Sequence, residues 1–178
     1  PNSANAHDSL GEAYLKNNQL DLALQHYTKS YELDPKNENA KKRIEELGLN
    51  DRVDFKPVNI LDETIKFPKG FDVIWMSQFL DCFSEAEIVS ILKRCYEALD
   101  ENGQVIILEP YWDRQKFEVA AFCLQQTSIY FTALANGNSQ MYSSEVFFKC
   151  VQDAGFEITE TTDHIGLSQT LIKCKKNK

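Results

Sequence analysis

Polar side chains suited to ligand binding follow a largely apolar run that extends from Phe71 to Phe79. Met76, Ser77 and Gln78 stand at the end of this run, which is typical of a buried strand, and open α/β sheets bind ligands at the C-terminal ends of their strands. Asp81 follows shortly after, and a carboxyl group acts as a general base where burial raises its pKa. The alternative is structural: Met76 packs in the core, and Ser77 and Gln78 only satisfy backbone groups.

A strand–helix–strand unit is predicted around this segment. Ser84 and Glu87 have the spacing of a capping box, and the helix that follows them carries one apolar stripe suited to packing on a sheet. Asn102-Gly103 predicts a turn into the next strand, Val105 to Leu108. The unit is therefore expected to cross over right-handed and to give parallel strands.

Helices and strands are also predicted in the residues after Leu108. Periodicity predicts helices over Gln115–Leu134 and Ser144–Ala154. Two final strands, near Phe156–Thr162 and Leu167–Lys173, are expected to pair as an antiparallel hairpin. A further strand is predicted earlier in the chain, at Val53–Val58.

Ala4 to Asn37 form a 34-residue unit that resembles a tetratricopeptide repeat. The resemblance rests on the spacing of Leu10, Gly11, Tyr14, Ala23, Tyr27 and Pro35. The predicted stripes of its two antiparallel helices are Leu10, Ala13 and Tyr14 on the first and Ala23, Leu24, Tyr27 and Tyr31 on the second. Ser30 departs from the alanine usual in the repeat. A lone repeat cannot bury its apolar face, so we expect it to cap the rest of the chain or to bind a partner.

A third helix, Asn37 to Leu47, is predicted to be shared by two regions: a helical hairpin over 1–37 and an α/β region over 38–178. No Gly/Ser-rich linker separates them. One fused body is therefore expected rather than two tethered domains.

Composition and charge disfavour nucleic acid, a membrane and a metal ion as binding partners of the chain. The 178 residues carry 27 acidic and 19 basic side chains, and this net charge of -8 disfavours nucleic acid. No apolar run has membrane-spanning length. The five cysteines form no C-x-x-C pair, which predicts reduced thiols in a cytoplasmic protein and no metal site.

From Leu47 onward the chain resembles the small-molecule O-methyltransferases that include the caffeate and hydroxyindole enzymes. The matching stretches are Leu49-Asn50-Asp51-Arg52-Val53, Asn59-Ile60-Leu61-Asp62, Gly70-Phe71-Asp72-Val73-Ile74-Trp75, Asn102-Gly103 through Ile107-Leu108-Glu109, Ala135-Asn136-Gly137 and Asp153-Ala154-Gly155-Phe156. The resemblance implies an α/β fold: a partial Rossmann-like sheet of parallel strands, with a C-terminal antiparallel hairpin, capped by the tetratricopeptide-like helices.

The resemblance also implies S-adenosylmethionine as cofactor. It places Asp62 beside the adenine, where a carboxylate accepts a hydrogen bond from the exocyclic amine, and the methionine part against Met76, Ser77 and Gln78. The alternative for Asp62 is a turn cap. Asp34-Pro35 similarly has two interpretations, a ribose-binding acid or the end of a repeat helix, and we favour the second.

Plant-type members place a His-Asp-Trp run before the capped helix, with the histidine as general base toward the substrate hydroxyl. This chain has Asp81-Cys82-Phe83 there, so Asp81 is the candidate catalytic residue. For the acceptor, a small aromatic molecule, the resemblance implies Trp112, Arg114, Phe122, Tyr130, Asn136 and Met141. The alternative is that Phe117, Phe122 and Phe131 form ordinary helix core.

The family's Gly-x-Gly turn, which holds the cofactor, is missing: no two of the seven glycines stand within ten residues of each other. We therefore expect turnover by this chain alone to be impaired. The alternative function is a catalytically inactive scaffold or a protein-interaction module, which could form a homo-oligomer. Such a chain could be a gene fusion, a fragment that pairs with another chain, or a recombination of two proteins. Val53–Val58 is then predicted either to pair directly with Phe71–Phe79 or to leave an exposed edge. Direct pairing would expose apolar sheet surface, which the helical hairpin is suited to cover.

Overall fold

The structure is a computed structural model that describes residues 3–17, 19–34, 56, 58–134 and 138–177. The chain divides into two compact units, Pro1–Val58 and Asn59–Lys178. The predicted helix Asn37–Leu47 lies outside the described residues. So do nearly all of the predicted strand Val53–Val58 and its predicted pairing.

The first unit contains a helical hairpin of α1 (Ala4–Lys16) and α2 (Leu20–Leu33). Its centre is the ring of Tyr27, which is fully buried and lies against Gly11 of the facing helix. A Cβ atom at Gly11 would stand 2.7 Å from that ring. The two helices approach this closely because only hydrogen occupies the space at Gly11.

The predicted stripe on α1 is partly wrong. Leu10 and Ala13 are exposed, and α1 instead packs through Gly11, Tyr14 and Leu15. Ser30 is buried on α2, where its hydroxyl donates a 2.8 Å hydrogen bond to the carbonyl of Ala4. The departure from the usual alanine therefore adds a polar link between the two helices.

The second unit is a four-stranded mixed sheet with helices. Its strands are β1 (Phe71–Ser77), β2 (Leu99–Glu109), β3 (Phe156–Ile165) and β4 (Gln169–Lys176), in the order β1-β2-β4-β3. Its helices are α3 (Glu85–Ala98), α4 (Glu118–Leu134) and α5 (Ser144–Asp153), with short 3-10 turns at Leu80–Cys82 and Trp112–Arg114. β1 and β2 are parallel and the last two strands are antiparallel, as predicted.

One face of the sheet is the core. Side chains from β1, β2 and β4 pack there with the apolar faces of α3 and α5: Met76, Val105, Ile107, Ile172, Cys174, Ile88, Ile91, Leu92, Phe147 and Val151. The predicted capping box begins α3, because the Ser84 amide donates to Glu87 at 2.8 Å while the Ser84 hydroxyl accepts from the Glu87 amide. This cap fixes where the chain turns from β1 into the helix.

The predicted turn at Asn102-Gly103 is wrong, because both residues lie within β2. The pairing is irregular there: Phe71 pairs with Leu99, but Val73 pairs with Gln104. A side chain at Gly103 would stand 2.9 Å from the Asp72 carbonyl oxygen. The dipeptide thus marks an irregularity inside a strand rather than its start.

β1 is not buried on both faces as its apolar run suggested. Ile74 and Met76 point toward the core, whereas Phe71, Val73 and Trp75 are 43%, 46% and 55% exposed. Side chains alternate along a strand, so these three share the opposite face. β1 therefore presents an apolar face, while the pairing from which we predicted such a face lies outside the described residues.

Candidate active site

The candidate site is the turn that leads from β1 into α3. Gln78, just past the strand, has the left-handed conformation (φ 46°), and its amide donates to the Leu108 carbonyl at 2.9 Å. A 3-10 turn over Leu80–Cys82 follows. Positive φ is rare for residues other than glycine, so the backbone here is held in a strained conformation at the C-terminal edge of the sheet.

Glu109, the last residue of β2, fixes this turn. Its Oε1 accepts two hydrogen bonds of 2.8 Å, from the amides of Phe79 and Leu80. The side chain is only 1% exposed. A buried carboxyl group that accepts successive amides determines where the following residue, Asp81, must lie.

Burial dominates the electrostatics of the two carboxyl groups. Burial is the largest cause and, with the nearby charge of Asp81, raises the pKa of Glu109 to about 8, while hydrogen bonds from the backbone of Phe79, Leu80 and Asp81 oppose the shift. Burial likewise raises the pKa of Asp81, while a hydrogen bond from the Cys82 thiol opposes the shift. A carboxylate with a raised pKa is a stronger base than one in water.

The segment after α4 closes over the turn. The Gln140 amide donates to the Asp81 carbonyl at 2.9 Å, and the Tyr142 hydroxyl donates to the Phe83 carbonyl at 2.7 Å. The Met141 amide in turn donates to the hydroxyl of Ser128 on α4 at 2.7 Å. The structure thus brings Met141 and α4 to the same side of the molecule as Asp81.

Asp62 forms the turn that one of its two interpretations predicts. Its Oδ1 accepts from the amide and the hydroxyl of Thr64, at 3.0 and 2.6 Å, and these bonds lower the Asp62 pKa. Its other oxygen, Oδ2, accepts no hydrogen bond from the described residues. Turn formation therefore leaves one oxygen open to an amine, and the adenine role stays a prediction.

The three residues at the end of β1 differ in surroundings. Met76 is 7% exposed and packs in the core, as the structural alternative predicted. Ser77 and Gln78 are exposed. Of the three, only these two have side chains open to a ligand at this edge.

The predicted acceptor residues are dispersed. Arg114 forms a bidentate ion pair with Asp163 of β3, with both N–O distances 2.7 Å, and the Trp112 amide donates to the Tyr142 carbonyl. Phe122 and Tyr130 are both 59% exposed on α4, so the interpretation of Phe122 as helix core is wrong. Phe117 is also exposed, while Phe131 is half-buried. Asn136 lies outside the described residues.

Glu109 is the functional candidate that sequence analysis missed. The one sequence feature that could have identified it is its position, because Glu109 directly follows the apolar run Val105–Leu108. A charged residue at the end of a buried strand indicates either a ligand contact or a backbone contact. Only the fold shows that it receives the amides of a turn 29 and 30 residues earlier in the chain.

The described residues also bear on two other classes of function, metal binding and membrane insertion. In the described ranges, no group of three or more His, Cys, Asp or Glu side chains is placed to hold a metal ion. Among the helices of the same ranges, none has both the length and the apolar content needed to cross a membrane.

Comparison with known families gives two matches. Residues 27–157 match the O-methyltransferase domain, and residues 4–37 match the tetratricopeptide repeat. The two matches overlap over 27–37, which is the second half of α2 and the residues just after it.

Relatives point the same way. The L-tyrosine C(3)-methyltransferase of Streptomyces lavendulae is 30% identical over 125 residues, which are 70% of this chain and 33% of that protein. Caffeic acid 3-O-methyltransferase 2 of Ocimum basilicum is 48% identical over 48 residues, 27% of this chain and 13% of that protein. The chain thus spans a third or less of these curated relatives.

Solved structures share the fold. The mitomycin 7-O-methyltransferase superposes with a TM-score of 0.65 at 16% identity, covering 89% of this chain and 45% of that one. An O-methyltransferase from neocarzinostatin biosynthesis, solved with S-adenosyl-L-homocysteine and 1,4-dihydroxy-2-naphthoic acid, gives a TM-score of 0.60 at 18% identity, covering 78% and 38%. With its matching residues, its sheet and a tetratricopeptide repeat at its N-terminal end, this chain belongs to the S-adenosylmethionine-dependent O-methyltransferase family.

Proposed function

We propose that this chain forms the acceptor side of an O-methyltransferase, with Asp81 as the base that takes the proton from the hydroxyl of a small aromatic molecule. The observation that carries the proposal is the position of Asp81. It follows the exposed Ser77 and Gln78 at the C-terminal edge of β1, in a turn held by Glu109 and Gln140. Open α/β sheets bind their ligands at this edge.

Proton removal is the chemistry expected of Asp81. When bound, S-adenosylmethionine supplies a methyl group activated by a positively charged sulfur. An aromatic hydroxyl attacks such a group better as it loses its proton, and a partly buried carboxylate with a raised pKa accepts that proton more readily than one in water. Positioning of the acceptor adds to this effect.

The residues fit the cofactor only in part. Asp62 keeps one carboxylate oxygen open for an amine, and Ser77 and Gln78 expose polar side chains. The chain has no Gly-x-Gly sequence, so the backbone approach that glycine allows is missing. We therefore expect weak cofactor binding and slow turnover.

The acceptor would lie against α4. Phe122 and Tyr130 expose aromatic rings on this helix, and the Met141 amide is hydrogen-bonded to its Ser128 hydroxyl. Aromatic and thioether surfaces suit a flat ring. Arg114 is engaged with Asp163, so its proposed part is to hold the segment before α4 rather than to bind the acceptor directly.

Calorimetric titration with S-adenosylhomocysteine and with S-adenosylmethionine tests the proposal. We expect measurable heat with millimolar ligand, and a loss of about tenfold in affinity in Asp62→Ala, as removal of one hydrogen bond predicts. Asp100→Ala is the matched control, because Asp100 is an exposed acid elsewhere on the sheet. Absence of heat with both ligands would contradict the proposal.

A further inference from the structure

Glu109 is the only acidic side chain buried below one-tenth exposure among the residues that the structure describes. One carboxyl oxygen, Oε1, is satisfied by the amides of Phe79 and Leu80. The other, Oε2, is fully enclosed and has no hydrogen-bond partner. An ionised carboxylate in that position would keep half of its charge on an oxygen with neither water nor donor, which costs several kcal/mol.

No ionisable side chain that faces Glu109 in the described residues offsets such a charge. The ionisable side chains that face Glu109 are Asp81 and Cys82 from the 3-10 turn and Tyr111 from the segment after β2. All three are neutral or negative, and no hydrogen bond or ion pair joins Glu109 to a described lysine or arginine. Arg114 is committed to Asp163.

Asp81 is the better place for a negative charge. Its side chain is only partly buried, whereas that of Glu109 is 1% exposed. Two adjacent carboxyl groups that repel each other share protons as a pair, and the first charge develops on the group closer to water.

We propose that Glu109 keeps its proton at neutral pH, so that the Glu109–Asp81 pair carries one negative charge and Asp81 holds it. The neutral carboxyl group still accepts the amides of Phe79 and Leu80 through its carbonyl oxygen, while its hydroxyl hydrogen lies on Oε2. Glu109 is then a positioning residue: it fixes the turn and leaves Asp81 as the ionised base. This role rests on the proposed function of Asp81, whereas the protonation of Glu109 does not.

The pH dependence of unfolding measures this proton directly. Burial holds the pKa of Glu109 at about 8, above the value of about 4.3 in an unfolded chain, so the folded state binds a proton that the unfolded state releases between these values. The stabilisation is complete below the lower value and is lost as the pH rises through the higher one. In Glu109→Gln, which keeps the carbonyl acceptor and cannot ionise, this loss should disappear.

Urea titrations of the full chain give the unfolding equilibrium constant of wild type and of Glu109→Gln at each pH. The quantity to compare is the wild-type constant divided by the variant constant. This ratio should rise by up to about tenfold per pH unit inside that window and stay flat outside it. Glu101→Gln, an exposed acid on the same strand, is the matched control and should follow wild type. A ratio that stays constant through the window would overturn the proposal.

A second measurement covers the case in which Glu109→Gln does not fold. Wild-type protein labelled with ¹³C at the glutamate carboxyl carbons should show one NMR resonance that titrates near pH 8, the resonance of Glu109. If no glutamate resonance titrates near pH 8, the proposal is wrong. Neither measurement contains cofactor, so failure of cofactor binding removes the proposed function without touching this result.

Discussion

Among the side chains that the structure describes, the helical hairpin and the α/β unit have cores of very different size. In the hairpin, the described apolar residues that are buried are Ala23 and Tyr27, with Tyr14 and Leu15 beside them. In the α/β unit, two helices and all four strands contribute to one continuous cluster. The described part of the hairpin has its closest fit at one ring, that of Tyr27 against Gly11, whereas the sheet distributes its stability over many contacts.

Removal of a central side chain from the larger core should have the largest effect. Leu92 of α3 is fully buried in the cluster, so we expect Leu92→Ala to lower the free energy of unfolding of the α/β unit by about 3 kcal/mol. Urea denaturation measures this free energy, with hydrogen exchange of the peptides from residues 59–178 as the readout of unfolding. Ile129→Ala, at a 62% exposed position, is the control and should cost less than about 0.5 kcal/mol. Equal losses in the two variants would contradict the assigned core.

In the hairpin the sensitive position is a glycine. Gly11→Ala places a methyl group 2.7 Å from the Tyr27 ring, and we expect a net loss of about 1–2 kcal/mol although alanine favours a helix. Faster hydrogen exchange of the amides in α1 and α2 would report it. Ser9→Ala, an exposed position on the same helix, should not speed exchange. A stabilised Gly11→Ala variant would show that the two helices are not packed as described.

The smallest expected effect is the loss of one hydrogen bond between the two helices of the hairpin. Ser30→Ala removes the hydrogen bond to the Ala4 carbonyl and should cost about 0.5–1 kcal/mol. The matched control, Gln25→Ala, is exposed on the same helix and should be neutral. Hydrogen exchange at the first turn of α1 is the measurement. No change in exchange at that turn would mean that the hydroxyl does not link the helices.

Sequence patterns predicted the elements whose signals are local. The capping box of Ser84 and Glu87, the βαβ crossover and the C-terminal hairpin all depend on residues close together in the chain. The dipeptide Asn102-Gly103 misled because a local turn signal cannot show that the neighbouring strand continues the pairing past it. Likewise, an apolar run such as that of β1 does not show which face of the strand packs in the core and which face is exposed.

The candidate site was predicted less completely than the fold. Asp81 was found by its place before the capped helix, but Glu109 acts through amides about 30 residues away in the chain. Arg114 was predicted to bind the acceptor, yet its ion pair joins it to Asp163, 49 residues later. Partners at such separations are set by strand order, and a single sequence does not encode strand order locally.

The exposed face of β1 has a consequence for the behaviour of the protein in solution. Phe71, Val73 and Trp75 form an apolar band on a chain whose net charge of -8 keeps its copies apart. That repulsion reaches about 10 Å at 0.1 M salt and about 3 Å at 1 M, and it vanishes near the isoelectric point of 4.9. Dilute buffer above neutral pH therefore favours colloidal stability, whereas concentrated salt or mild acid weakens the repulsion that keeps these apolar side chains of different copies apart.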